Sequence, residues 1–202
     1  MLTRILVPTL ILGCAVGAFG QSPTLAQRVA TQQSDVSLNV NVDGPMPTVT
    51  GILTETDVLV RGIIGKVTGH LSSDGRDVFT TYELLSPKVV FSSRSPRIEG
   101  AAGAETLTFV QHGGTARING WNASVLYDDM ATLSPDMEVV AFLRDAGGQY
   151  RASGGGAAIF QVRNNVIVPL VRRSGEHKAF AGADVDTFMS DMVGRKRLLQ
   201  AK

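Results

Sequence analysis

His112-Gly113-Gly114 is the tripeptide with the most recognisable chemistry in this chain, because a His-Gly-Gly element builds the oxyanion hole of some esterases. Those enzymes also need a nucleophile elbow, Gly-x-Ser-x-Gly, on a strand-to-helix turn, and no such pentapeptide occurs here. A turn that ends a strand is the better reading of the motif. The histidines, His70, His112 and His177, are far apart, and none belongs to a His-Glu-x-x-His or His-x-His pair. No local metal signature follows, and neither metal nor cofactor is expected. Closure of a barrel would be needed to bring His70 and His112 together, with Asp74 or Asp77 as a carboxylate.

Glu83 sits in an apolar-looking strand and shares its face with Phe79 and Leu85. If that face points into the barrel, desolvation penalises the carboxylate and makes Glu83 the candidate for a buried site, with Arg61 on the neighbouring strand as its partner; a partly solvated face is the favoured alternative. Asp74-Gly75-Arg76-Asp77 lacks the alternating oxygen ligands of a calcium loop and reads as a turn with a local ion pair. Gly154-Gly155-Gly156 is followed by a strand pattern rather than a helix N-terminus, which a phosphate cradle requires. Trp121, Tyr127 and Tyr150 are the side chains able to stack on a sugar or peptide, though aromatics make up only 6% of the chain, too few for an extended platform. Asn122-Ala123-Ser124 matches a glycosylation acceptor. The candidate ligand-binding set is therefore Arg61, Glu83, His112 and Trp121, with no catalytic set.

The elements that must position these residues are mostly strands. Asp57 to Thr68 is rich in Val and Ile and carries Gly62, Gly65 and Gly69 along its length, which predicts a long strand bent at its glycines. Asp77 to Leu85 alternates, with Pro87 ending it or forcing a bulge before Lys88 to Phe91. Ser92 to Gly103 reads as a loop. Thr106 to Gln111 is a strand, Asn119-Gly120 a type I′ hairpin turn, and Val139 to Leu143 is apolar on both faces, as a central strand would be. Tyr150 to Ala152 follows Gly147-Gly148, and Ile159 to Val162 pairs with Val166 to Leu170 across Asn164-Asn165. Val185, Phe188, Met189, Met192 and Val193 recur at helical spacing, and Gly194 would end that helix. The fold class is mainly β: a small, partly open, OB-like β-barrel with a C-terminal amphipathic helix.

The first twenty residues set the expected compartment. Arg4, the apolar stretch Ile5 to Val16 and Ala18-Phe19-Gly20 read as an export signal with a cleavage site. Cys14, the single cysteine, offers lipidation as the alternative. After cleavage no cysteine remains, so a core rather than disulfides must stabilise the fold. Residues 1–20 are then the signal peptide, 21–47 a flexible segment, 48–172 the barrel and 182–196 the helix. The chain has 19 basic residues, Arg4 among them, against 18 acidic ones. Such a balance leaves no electrostatic footprint for nucleic acid, and Arg195-Lys196-Arg197 reads as a solvated helix end.

Thr56-Asp57-Val58-Leu59-Val60-Arg61-Gly62, Arg76-Asp77-Val78-Phe79-Thr80, Thr108-Phe109-Val110-Gln111-His112-Gly113-Gly114 and Met137-Glu138-Val139-Val140-Ala141-Phe142-Leu143-Arg144 together resemble a group of uncharacterised exported bacterial proteins. Their small barrel is similar to the OB-type fold of tissue inhibitors of metalloproteinases. The resemblance covers roughly residues 50 to 195 and implies fold and export. The inhibitors work through cysteines that this chain lacks after Cys14, so it does not imply inhibition.

The functional expectation is an exported, non-enzymatic binding module that contacts a protein or an envelope polymer through a barrel face or the loop Ser92 to Gly103. Two other classes compete with it. A small hydrolase would pair His112 with an acidic partner in a concave pocket. A structural subunit would dock through an exposed stripe at Phe188 and Met192.

Overall fold

The computed structural model describes residues 22–100, 105–173 and 175–201. The expected signal peptide, Cys14 and part of the 92–103 loop lie outside the described residues. Two strands dominate: β2 (Val58–Leu71) and β3 (Val78–Ser92), paired antiparallel through a tight Ser72–Asp77 turn. The register of β2 slips between Leu59 and Val60, Arg61 and Ile63, and Ile64 and Val67, so the glycine-rich strand bends as its composition predicts. β3 continues past Pro87 because Ser86 adopts a left-handed φ of 49° and absorbs the irregularity.

β4 (Thr106–His112) adds to β3, and β7 (Glu138–Asp145) adds to the other edge of β2. β8 (Tyr150–Ala152) then bridges β4 and β7, parallel to the first and antiparallel to the second. Strands β7, β2, β3, β4 and β8 thereby form a ring. It is partly open, since the other half of the β7 edge is taken by β9 (Ile159–Arg163), which pairs with β10 (Val166–Pro169). The mainly β fold, the partly open barrel and the C-terminal helix are as expected. A second sheet, in the order β1 (Val36–Val40), β6 (Trp121–Tyr127), β5 (Gly114–Ile118), leans on the barrel. Its β5–β6 hairpin turns at Asn119 and Gly120, both at positive φ.

Alternation divides the inside of the barrel from its outside. On β3, Val78, Thr80, Tyr82 and Leu84 are buried inward, and Tyr82 stacks on Phe109 of β4 at 5.2 Å. On β7, residues Val139 to Leu143 are buried on both faces, because helices cover the outer one. Helix α2 (Val49–Glu55) is capped by the Thr48 hydroxyl, and α3 (Val185–Gln200) by the Asp184 carboxylate. Phe188 of α3 meets Phe160 at 5.1 Å, Phe180 at 5.0 Å and Phe142 at 6.0 Å.

Three expectations are corrected here. Residues 24–40 are not a bare tether: α1 (Leu25–Gln32) has a Thr24/Gln27 capping box, and β1 lies parallel to β6. Leu25, Val29 and Val36 seal a second small core with Val78, Ala123 and Val125. Helix α3 does not stop at Gly194 but runs to Gln200, because the Lys196 ammonium donates to the Leu53 carbonyl (2.7 Å) and the Thr54 carbonyl (3.2 Å) in the last turn of α2. Phe188 and Met192 are 3% and 1% exposed, so the stripe that a docking helix would present is spent on the barrel. Among the described residues no helix is long and apolar enough to cross a membrane.

Two outcomes follow for stability. Lys196→Met, which keeps the buried stem and removes the charged donor, should cost about 2 kcal/mol in urea unfolding. Gly69→Ala should cost more, at least about 3 kcal/mol, because its Cβ would sit 1.8 Å from the Thr115 carbonyl oxygen of β5. Thermal and urea midpoints of the two variants check both values and their order.

Candidate functional site

The outer faces of β2, β3, β4 and β8 carry a bare patch assembled by register. His70, Phe79 and His112 form one row across β2, β3 and β4, and Thr81, Val110 and Arg151 form the next across β3, β4 and β8. Gly147 and Gly148, both at positive φ, turn the β7–β8 loop so that Gln149 closes one end. The result is a cleft of about 370 Å³ lined by His70, Phe79, Thr81, Val110, Gln149 and Arg151. This lies in the roughly 300–1,000 Å³ range of small-ligand sites. Gln149 is shared with a second cleft of about 260 Å³, whose walls include Arg97, Glu99, Thr108 and Tyr150. Arg97 is held there by Asp145 at 3.0 Å and lies over the Tyr150 ring at 4.8 Å, while its backbone N–H donates to the Tyr150 hydroxyl. The 92–103 loop thus contributes to the groove through Arg97 and Glu99.

At the edge of the first cleft His112 acquires partners. Phe79 packs edge-on against its ring at 4.3 Å, and its Nδ1 stands 3.2 Å from Oδ2 of Asp77. The same carboxylate oxygen accepts the Tyr127 hydroxyl at 2.9 Å, and its other oxygen accepts the Val78 N–H. Burial and the Asp77 carboxylate push the Tyr127 phenol up to about 12, so it stays a donor at neutral pH. This constellation comes from a corner, since β4 leads into β5 of the other sheet through Gly113 at φ 87°, fixed by the Thr80 hydroxyl on the Gly113 carbonyl (2.6 Å). His112–Gly113–Gly114 is therefore a strand-ending corner. Among the described residues no serine is hydrogen-bonded to His112: the Ser72 hydroxyl donates to Asp74 and accepts the Arg76 and Asp77 N–H groups.

The four sequence candidates do not converge. His112 joins the groove edge. Glu83 faces outward beside Thr108 and is half-buried, not inside the barrel, because the inward set on β3 is Val78, Thr80, Tyr82 and Leu84. The face is the partly solvated one even though Phe79 and Leu85 share it, which is the favoured of the two sequence readings. Arg61 does not partner Glu83: it binds Glu138 of β7 at 2.7 Å and approaches Asp186 of α3 at 3.6 Å, so it clamps the helix layer. Trp121 lies at the hairpin tip, 41% exposed and away from either cleft. His70 and His112 share a face but flank Phe79 rather than touch. Among the described residues no three His, Asp or Glu side chains gather as metal ligands.

The other motifs resolve into local structure. The Asn122 side chain donates to Asp35 at 3.1 Å. Gly154-Gly155-Gly156 enters a short 3-10 turn (Gly155–Ala158) rather than a strand directly. It faces Asp129, whose carboxyl is raised by burial and by Asp128, so the loop offers an anion no welcome.

Phe79, Thr81, Gln149 and Arg151 were not singled out from sequence. The signal was present in the alternation: Arg151 stands between buried Tyr150 and Ala152, which turns its side chain outward. Compared with known proteins, the chain matches no protein family, no curated protein and no solved structure.

His177 is 1% exposed and lies among Ile52, Phe142, Phe160 and Phe188. The ring runs near the Val171 backbone without a well-formed hydrogen bond, and neither nitrogen has a partner. Burial holds the imidazole below its ordinary value of 6.5. The unfolded chain then binds a proton that the folded chain refuses, so stability is full above about pH 6.5 and falls as pH drops through 6.5 toward the lowered folded value. Unfolding midpoints measured from pH 8 to pH 5 should show this loss, and His177→Leu should flatten it.

Proposed function

We propose that this chain is an exported, non-enzymatic binding module of OB-like architecture whose ligand lies in the groove formed by the two clefts that share Gln149. That groove is the observation that carries the reading. In barrels of this kind the outer face of the second and third strands, with the loops after the first and fourth, is where oligomeric ligands bind. Here those elements are β3, β4, the Ser72–Asp77 turn and the β7–β8 loop. Half-buried Phe79 and buried Val110 supply the apolar floor, while Thr81, Gln149 and Arg151 supply the polar contacts that fix orientation. The partner class is a polymer or protein of the cell envelope or secreted fraction, and the balance of charge argues against nucleic acid.

The test is affinity capture from envelope and secreted fractions, run in parallel with wild type and Phe79→Ala and read out for both proteins and polysaccharides. A partner retained by wild type and lost at least tenfold by the groove variant is the expected result. A partner retained equally by both would place binding elsewhere on the molecule.

A second reading keeps one specific observation. Asp77 orients His112 through Nδ1, which leaves Nε2 able to take a proton from a water nucleophile. Turnover on a broad hydrolase panel that vanishes in His112→Ala, with folding intact, would establish it. The binding reading expects no turnover in either protein.

A further inference from the structure

We infer that the first cleft recognises the carboxylate of an acidic sugar unit, with Arg151 as the residue that reads it. The inference rests on the binding-module reading and assigns the ligand class at one end of the groove.

Charge around the cleft is unevenly committed. The carboxylates in the loops that border this cleft are already engaged. Asp77 holds Tyr127 and stands beside His112, Asp74 takes the Ser72 hydroxyl and the Arg76 N–H, and Asp145 takes Arg97 and the Gly148 N–H. Arg151 has none of them. Among the described residues no carboxylate is ion-paired with it, its Nε is buried without an acceptor, and its guanidinium carbon stands 6.0 Å from the Phe79 ring centre. Its neighbour across the β7–β8 pair is Arg144, another cation, which is itself paired with Glu55. A guanidinium is a planar fork matched to two oxygens of one anion, and a buried N–H without an acceptor is costly. An incoming carboxylate meets the two terminal nitrogens of that fork, while the buried Nε lies out of its reach.

The rest of the lining selects a sugar as its carrier. Phe79 offers a ring face, and Thr81, His70 and Gln149 offer hydroxyl, imidazole and amide groups on the same wall. An extended peptide would instead look for a free strand edge and its backbone hydrogen bonds. The cleft lies on the face of strands whose edges are used in the ring, so it presents side chains only. Polarity then fixes direction. The second cleft carries Glu99, and Glu83 lies beside Thr108 on the same face, so the acidic unit belongs at the Arg151 end and neutral units at the other.

The probe is a trisaccharide with one terminal glucuronic acid, compared by calorimetric titration with its carboxyl-reduced twin, which differs only in a CH2OH group. The acidic sugar should bind the protein at least about tenfold tighter than the reduced one. Arg151→Gln should erase that difference, bringing the acidic sugar down to the affinity of its reduced twin in the same variant, and Phe79→Ala should weaken both sugars. Arg151→Lys, which keeps charge without the fork, should recover only part of the preference and guards against a folding defect in the glutamine variant. Equal binding of the two sugars, or a preference that survives Arg151→Gln, would overturn the inference and leave the binding module standing. Failure of both sugars to bind, with an envelope protein captured in a Phe79-dependent way, would overturn the sugar assignment alone. Failure of both sugars with no Phe79-dependent capture would remove the binding-module reading as well.

Discussion

The two sheets meet backbone against backbone, and most of the molecule depends on that contact. A Cβ at Gly69 would lie 1.8 Å from the Thr115 carbonyl oxygen, and one at Gly114 would lie 1.8 Å from the Thr80 hydroxyl. Side chains at either point would hold the hairpin β5–β6 away from the barrel. With glycine there, the Thr80 hydroxyl reaches the Gly113 carbonyl, and the corner after β4 becomes sharp. Sharpness has consequences on both sides of the corner. It brings Tyr127, near the end of β6, to Asp77 at the start of β3, and it leaves His112 beside the same carboxylate. It also gives α1 and β1 a surface to complete, since Val78 belongs to the small core that Leu25 and Val29 close.

The outside of the barrel is covered unequally, and the inequality marks the site. Over β7 and β9 the helix layer is aromatic, built on Phe142, Phe160 and Phe188 and fastened by Arg61 to Asp186 of α3 and by Lys196 to the end of α2. Over the outer face of β3, β4 and β8 no described helix lies on the sheet, and Arg97, Glu99 and the β7–β8 loop stand at its border. Phe79 and Val110 remain under a cleft there instead of under a helix. A sheet face with an apolar floor and an unpaired cation costs stability when left alone. Its presence beside a well-covered face is the physical ground for reading it as a place where something binds.

Much of the fold was legible in the chain because its signals were local. Asn119-Gly120 and Asn164-Asn165 demand positive φ and obtain it; Val139 to Leu143 demands burial on both faces and obtains it. Long-range choices were less legible. Whether Phe79 and Glu83 or Thr80 and Tyr82 face the interior depends on which side closes, and alternation by itself fixes only that the two sets oppose. Helix α1 has just two buried apolar residues, Leu25 and Val29, so its amphipathic period was too short to stand out from a polar segment. Gly194 failed as a stop because a salt-free anchor, Lys196 on the carbonyls of α2, lies beyond it and is visible only in three dimensions. The groove escaped notice for a related reason: its residues come from β2, β3, β4, β8 and a loop, and only register places them in one patch.

The same geometry weighs binding against catalysis. Catalytic sites gain rate by holding groups that stabilise charge where it develops, in a space from which water is excluded. His112 has an orienting carboxylate, yet its side chain is half exposed, at 53%, and the donors near the corner are committed: the Gly113 N–H goes to Val78 and the Thr80 hydroxyl to Gly113. The oxyanion hole that the His-Gly-Gly motif evokes therefore lacks its Gly113 donor. What remains around His112 is a rigid, satisfied cluster that fixes the Phe79 ring in place. Rigid aromatic floors and pre-formed walls lower the ordering cost of association, which is what a binding surface needs and what a hydrolytic centre would have to supplement.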